Sequence, residues 1–167
     1  VNAAGAITID STVASADISI CGAGDVDVDE TNAIVLADLD TNDGTITVDA
    51  GGAITATDVA TGNNNDISLT TTSGDITAVA TVNAGSGNVT LASAGAILDD
   101  GESSTLITAG VLTGSAAGAI TVDTTVVSAS LSTSAAGAID VDETDAITLT
   151  SLSANNGAIT VDSGGVI

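Results

Sequence analysis

Gly-Ala-Ile-Thr-Val-Asp, residues 118–123, returns lightly edited along the whole chain. GAITID stands at 5–10, GDVDVD at 24–29, GTITVD at 44–49, GAIDVD at 137–142 and GAITVD at 157–162. Shorter relatives are GAITA at 52–56, GDITA at 74–78, GNVTL at 87–91 and GAIL at 95–98. Each copy is a glycine, then alternating small-polar and β-branched residues, often ending in aspartate. A glycine turn followed by period-two alternation specifies a half-buried β-strand. No apolar stripe at helical spacing is sustained, so the chain is expected to be all-β.

Two periods are superimposed. Glycine-led strands begin at 5, 24 and 44, and again at 118, 137 and 157. A second series begins at 32, 52, 74, 95 and 118. Over this short period lies a long one. Residues 118–167 align with 5–54 without a gap at an offset of 113, with 30 of 50 positions identical. The inner period predicts a parallel β-helix, or β-solenoid, of roughly 20–23 residues per coil, continuous over 1–167. The outer period alone would also suit tandem β-sandwich modules.

The chain contains no Phe, Tyr, Trp, Met or Pro. Sandwich cores about 10 Å thick usually rely on large rings, whereas stacked aliphatics fill a narrow solenoid. This favours the solenoid. Strand centres are expected at, among others, Val13, Ile18–Ile20 and Ile34–Leu36, with turns at Cys21–Gly24, 42–44, 51–52, 62–65, 83–87 and 99–103.

Charge narrows the function. The 167 residues carry 22 acidic side chains and no Lys, Arg or His, a formal net charge of −22. Without cations to neutralise phosphates, nucleic-acid binding is excluded. Anionic membrane surfaces repel such a chain, and no apolar run reaches the ~20 residues of a membrane span, so membrane insertion is not expected. The absence of Met at position 1 suggests that Val1 lies inside a longer or processed chain. Cys21 has no partner for an internal disulfide and no cationic side chain to activate it.

The run GAITVDTTVVSASLSTSAAGAIDVDETDAITLTSLSANNGAITVDSGG at 118–165, with GNVTLASAGAILDDGESSTLITAG at 87–110, resembles a known class. It is similar to the tandem β-strand repeat regions of giant bacterial surface and secreted proteins, related in style to filamentous-haemagglutinin-type adhesins. The resemblance covers essentially the whole chain. It implies a right-handed β-helix stalk outside the cell, serving adhesion or forming a fibre. It carries over no functional residue.

Catalytic chemistry finds little support. Serine is abundant, but no His or Lys exists to activate it. Paired aspartates such as Asp27 and Asp29 could in principle cleave a glycoside, but no cation or aromatic platform exists to hold a sugar. No enzyme activity and no required cofactor are expected.

Calcium is the one ligand whose chemistry matches an all-oxygen donor set. Asp38-Leu-Asp40-Thr-Asn42-Asp43-Gly44 nearly spells the start of a calcium loop, with Asp43 where glycine belongs, and Asp99-Asp100-Gly101-Glu102 is a second acidic turn. Stacking supplies a third place. With strands 5, 24 and 44 in register, Asp10, Asp29 and Asp49 form one column and Asp123, Asp142 and Asp162 its twin. Ile7, Ile9, Val26, Val28, Ile46 and Val48 then face inward. Like charges ~4.8 Å apart repel by roughly 1 kcal/mol in water, which splaying, salt, protonation or a bridging divalent cation would relieve. Asn88-Val-Thr90 is the one N-glycosylation sequon, inside an expected strand.

These features predict a structural segment of an extracellular or cell-surface fibre, filament or stalk. It would associate end to end with itself or continue in the same chain. The alternative is the stalk of an adhesin that binds glycans or neighbouring cells. A polysaccharide-active β-helix enzyme is the third reading.

Overall fold

The alternation becomes strand wherever the hexapeptide occurs, and each strand pairs with its copy one coil away. The computed structural model describes residues 1–102 and 106–167; of the turn expected at 99–103, Ser103 lies outside them. Among the described residues there is no helix, and every strand pairing is parallel. The architecture is a β-solenoid of about 8 turns.

Each coil lays down strand on three faces. The first face stacks β2 (Ile7–Ser11), β4 (Val26–Glu30), β6 (Ile46–Ala50), β8 (Ile67–Thr71), β10 (Asn88–Ser93), the second half of β12 (Leu106–Ala116), the end of β13 (Ile120–Ala136) and β15 (Thr148–Asn155). The second face stacks the beginnings of β5 (Ile34–Asp43), β7 (Ile54–Thr61) and β9 (Ile76–Asn83). Below them come β11 (Ile97–Leu98), the beginning of β13, β14 (Ile139–Glu143) and β16 (Ile159–Ser163). The third face holds β1 (Asn2–Ala3), β3 (Ser15–Ala23), the ends of β5, β7 and β9, and parts of β12 and β13.

The interior follows from register. Ile34, Ile54, Ile76, Ile97, Ile120, Ile139 and Ile159 are successive partners down the second face. On the first face Ile46, Ile67, Val89, Leu112 and Ala129 form the corresponding column. Nearly all of these are buried; Ile159, in the last coil, is not. β-Branched side chains suit such a stack because their restricted χ1 fits a pleated, half-buried surface.

Successive first-face partners run Ile7, Val26, Ile46, Ile67, Val89, Leu112, Ala129 and Leu149, so coils take 17 to 23 residues. The 17-residue coil, below the expected 20, is the one where β13 passes over the corners without a turn. Other local expectations fail as well. Val13 lies between strands, at a corner where its N–H donates to Glu30 at 2.8 Å, and Cys21 lies within β3 rather than in a turn.

Glycine is demanded where coils touch at corners. A Cβ on Gly44 would overlap the Gly24 carbonyl, and one on Gly157 the Gly137 carbonyl. Buried hydroxyls fasten the same corners. Thr61 donates to the Asn65 carbonyl at 2.6 Å and Ser93 to the Ala96 carbonyl at 2.8 Å, closing each turn from inside.

The long repeat is not a whole number of coils. GAITID at 5–10 enters the first face through β2, whereas its copy GAITVD at 118–123 enters the second face through β13. Five coils carry Ile7 to Leu112, 105 residues on, and 8 more reach Ile120 on the next face. The second copy is therefore the first, turned by one face.

Candidate functional site

The carboxylates are placed by the same alternation that fills the core. In β4, Val26, Val28 and Glu30 point inward while Asp27 and Asp29 point outward. Asp10, Asp29 and Asp49 are direct partners in adjacent coils, as are Asp123, Asp142 and Asp162. The expected columns therefore exist, but on different faces.

Each column edges a shallow groove. The first, about 370 Å³, is lined by Asp10, Asp29 and Asp49 with Ser11, Glu30, Thr31, Ala50 and Gly51. The second, about 390 Å³, is lined by Asp123, Asp142 and Asp162 with Glu143, Thr144, Ser163 and Gly164. Apart from Leu106, every residue lining the second groove is the 113-residue counterpart of one lining the first. The groove is thus a property of the repeat.

Its electrostatics are those of uncompensated like charge. Burial, then Asp27, Asp10 and Asp49, push the Asp29 carboxyl up from its ordinary value. Burial, then Asp99, Asp142, Asp100 and Asp140, do the same to Asp123. No side-chain cation exists in the sequence to offset them. The Val1 ammonium donates to the Asp17 carbonyl at 2.6 Å, on the third face.

A separate acidic patch lies where the second face turns into the third. Asp17 pairs with Asp38 at a register shift, and Asp40 stands two residues further along β5. Burial, then Asp38 and Asp58, push the Asp40 carboxyl up to about 6. One oxygen of Asp38, Oδ1, is shut off from water and accepts no hydrogen bond. The turn expected at 42–44 is displaced, because β5 stays extended through Asp43. Asp43 sits apart from Asp38 and Asp40 at the strand end and accepts from the Asn65 Nδ2 at 3.2 Å. Among the described residues no three carboxylates gather in a cluster that could hold a metal ion. In the second acidic turn, Asp99 and Asp100 accept from the N–H groups of Gly101 and Glu102 at 2.8 and 3.0 Å.

Two carboxylates that sequence reasoning passed over organise the grooves from beneath. Glu30 is only 3 % exposed and Glu143 only 4 %. Glu30 Oε2 accepts from the Ser11 hydroxyl at 2.6 Å and from the Val13 N–H, while Oε1 accepts from the Asn32 N–H at 3.1 Å. Glu143 repeats this with the Thr124 hydroxyl at 2.8 Å, the Val126 N–H at 3.0 Å and the Asp145 N–H at 3.3 Å. Each glutamate thus ties one coil to the next at a corner. Burial raises the Glu30 carboxyl, but hydrogen bonds from Ser11, Asn32 and Val13 outweigh it, and the net shift is downward. The signal was present in the sequence. In Val26-Asp-Val28-Asp-Glu30 the alternation puts the glutamate on the inward side.

Other aspartates act on the backbone. Asp25, Asp66 and Asp75 each accept from an N–H in the following coil, those of Thr45, Asn88 and Ala96, at 2.7 to 2.8 Å. Asn88 and Thr90 of the sequon both point outward from β10 around buried Val89. No protein family, curated protein or solved structure matches this chain.

Proposed function

We propose that this chain is a structural rod: a segment of an extracellular fibre, filament or stalk built from tandem solenoid repeats. The observation that carries the reading is that the buried and corner polar groups are spent on stacking. The two buried glutamates, the corner hydroxyls and Asp25, Asp66 and Asp75 all bond the backbone of their own or an adjacent coil. A chain organised this way makes length and stiffness.

The pairing scheme supports end-to-end growth. Among the described residues every strand pairing is parallel and joins one coil to the next, so coils can be added without changing those already stacked. Further coils would come from the same chain or from a second copy, and heterologous contacts of that kind make filaments. An exterior without Lys or Arg gives trypsin nothing to cut, which suits life outside a cell.

Negative-stain microscopy together with light scattering across a concentration series tests the reading. Rods of constant width that lengthen, or rods of fixed length, are the expected result. Compact particles without a long axis would overturn it. The adhesin stalk differs only in what such a rod carries, and no feature of the grooves favours it over a plain rod.

A further inference from the structure

The corner between β15 and β16 combines two requirements. Gly157 packs so closely on Gly137 that no side chain fits, so glycine is obligatory there. Asn156 before it sits at φ 59°, in the left-handed region that asparagine tolerates better than most residues. The left-handed position and the crowded one thus fall on adjacent residues, and 156–157 is the one Asn-Gly dipeptide in the sequence.

We propose that Asn156 is a site of spontaneous deamidation in the folded protein. Its side chain is exposed, in the last coil, and no neighbour there holds it, whereas its counterpart Asp43 accepts from Asn65 one coil further on. Asn155 is held by its Nδ2 on the Ser134 carbonyl at 2.7 Å, by its N–H on Thr133 and by its carbonyl, which accepts from Gly137. Asn64, Asn65 and Asn83 are likewise engaged through their side chains. The Gly157 N–H is also unbonded, as is the N–H of its counterpart Gly44, which has a further coil beneath it.

The reaction needs only water and base. The Gly157 nitrogen gives its proton to solvent base and attacks Asn156 Cγ. The new N–Cγ bond closes a five-membered imide, the Cγ–Nδ2 bond breaks, and nitrogen leaves as ammonia with a proton from water. Water then opens the ring. Attack at Cγ regenerates the ordinary backbone and leaves aspartate; attack at the backbone carbonyl leaves the chain running through the side chain as isoaspartate. The net change is asparagine plus water to aspartate plus ammonia, without an oxidant or reductant.

The fold accepts the ordinary product. The first copy of the repeat already has aspartate at this position, Asp43 before Gly44, with the same contact of glycine on glycine, although Asp43 ends the extended β5 whereas Asn156 is left-handed. Ageing at this corner would turn the second copy's Asn-Gly into the first copy's Asp-Gly and add one negative charge.

The test incubates the intact chain at about pH 9 and about pH 6 and follows whole-protein mass, with peptide mapping by a protease that cuts before aspartate. Wild type should gain the mass of one exchange of NH for O, faster at the higher pH, with a new cleavage at 156. Asn156→Gln should lose that gain and Asn155→Gln should keep it. Circular dichroism of each variant ensures that only folded chains are compared, and Asn156→Ser serves if the glutamine variant does not fold. The proposal is overturned if folded wild type stays unchanged while the free peptide Ser-Ala-Asn-Asn-Gly-Ala-Ile deamidates. It is equally overturned if Asn156→Gln gains the mass as wild type does.

Discussion

At the scale of single residues, two kinds of carboxylate pull in opposite directions. Glu30 has its pKa lowered on folding, so its contribution is present above the unfolded value near 4.5 and is lost as pH falls through the folded value. Asp29, Asp40 and Asp123 have theirs raised, so their protonated forms favour folding and their repulsion grows as pH rises. With Asp40 at about 6, thermal melts followed by circular dichroism should rise in midpoint as pH drops from neutrality towards 5, then fall once the glutamate protonates. Asp40→Asn should melt higher than wild type at neutral pH and lose the part of the slope around pH 6. A flat wild-type profile there would contradict this account. The buried glutamate of the second copy gives a separate measurement. Glu143→Ala leaves the N–H groups of Val126 and Asp145 without their acceptor, and should cost about 1–3 kcal/mol in denaturant unfolding.

At the scale of elements, spacing between coils is the critical dimension. Gly44→Ala sets a methyl group against the Gly24 carbonyl and should destabilise by about 1–3 kcal/mol, whereas Gly5→Ala, with open space around it, should be close to neutral in the same unfolding assay. The strands that obey this spacing were legible because one rule, alternation after glycine, fixes both face and register; the Asp10, Asp29 and Asp49 column follows from it directly. What escaped were the corners. Val13 looks like a strand residue, but its N–H is taken by a glutamate 17 positions away, which no local pattern reveals. Cys21 looks like the start of a turn, yet β3 runs on to Ala23 because it pairs with β5 as far as Asp43. Glu30 ends its strand in sequence, where an acid reads as solvent-facing. The alternation does point it inward, but the three donors from two coils that make an interior acid tolerable are not visible in the local pattern.

At the scale of the whole molecule, a chain with 22 acids and no side-chain cation is held together against its own charge. Added salt should raise the melting midpoint, and divalent cations should raise it more than sodium at equal ionic strength. Calcium and magnesium should act alike, because the acidic columns supply one carboxylate per coil rather than a cage that selects between them. A clear preference for calcium in a differential scanning experiment would reveal an ordered site. Modularity is testable at this scale too. Removing residues 118–136 excises one full coil and joins Ala117 to Gly137, so the shortened chain should keep its circular dichroism per residue. In small-angle scattering it should shorten by about one strand spacing of 4.8 Å.

The one-face turn between the two copies of the long repeat acts like a vernier. A ruler of 113 residues laid against coils of 17 to 23 residues leaves a remainder, and that remainder is one side of the rod. Because Gly-x-Ile-x-Val-Asp settles on either side, duplication is released from the need to copy whole coils. The gene can lengthen by thirds of a turn and still encode a continuous ladder. The cost falls on recognition: corresponding grooves end up on different sides, so a flat partner laid along the rod meets one of them and never both.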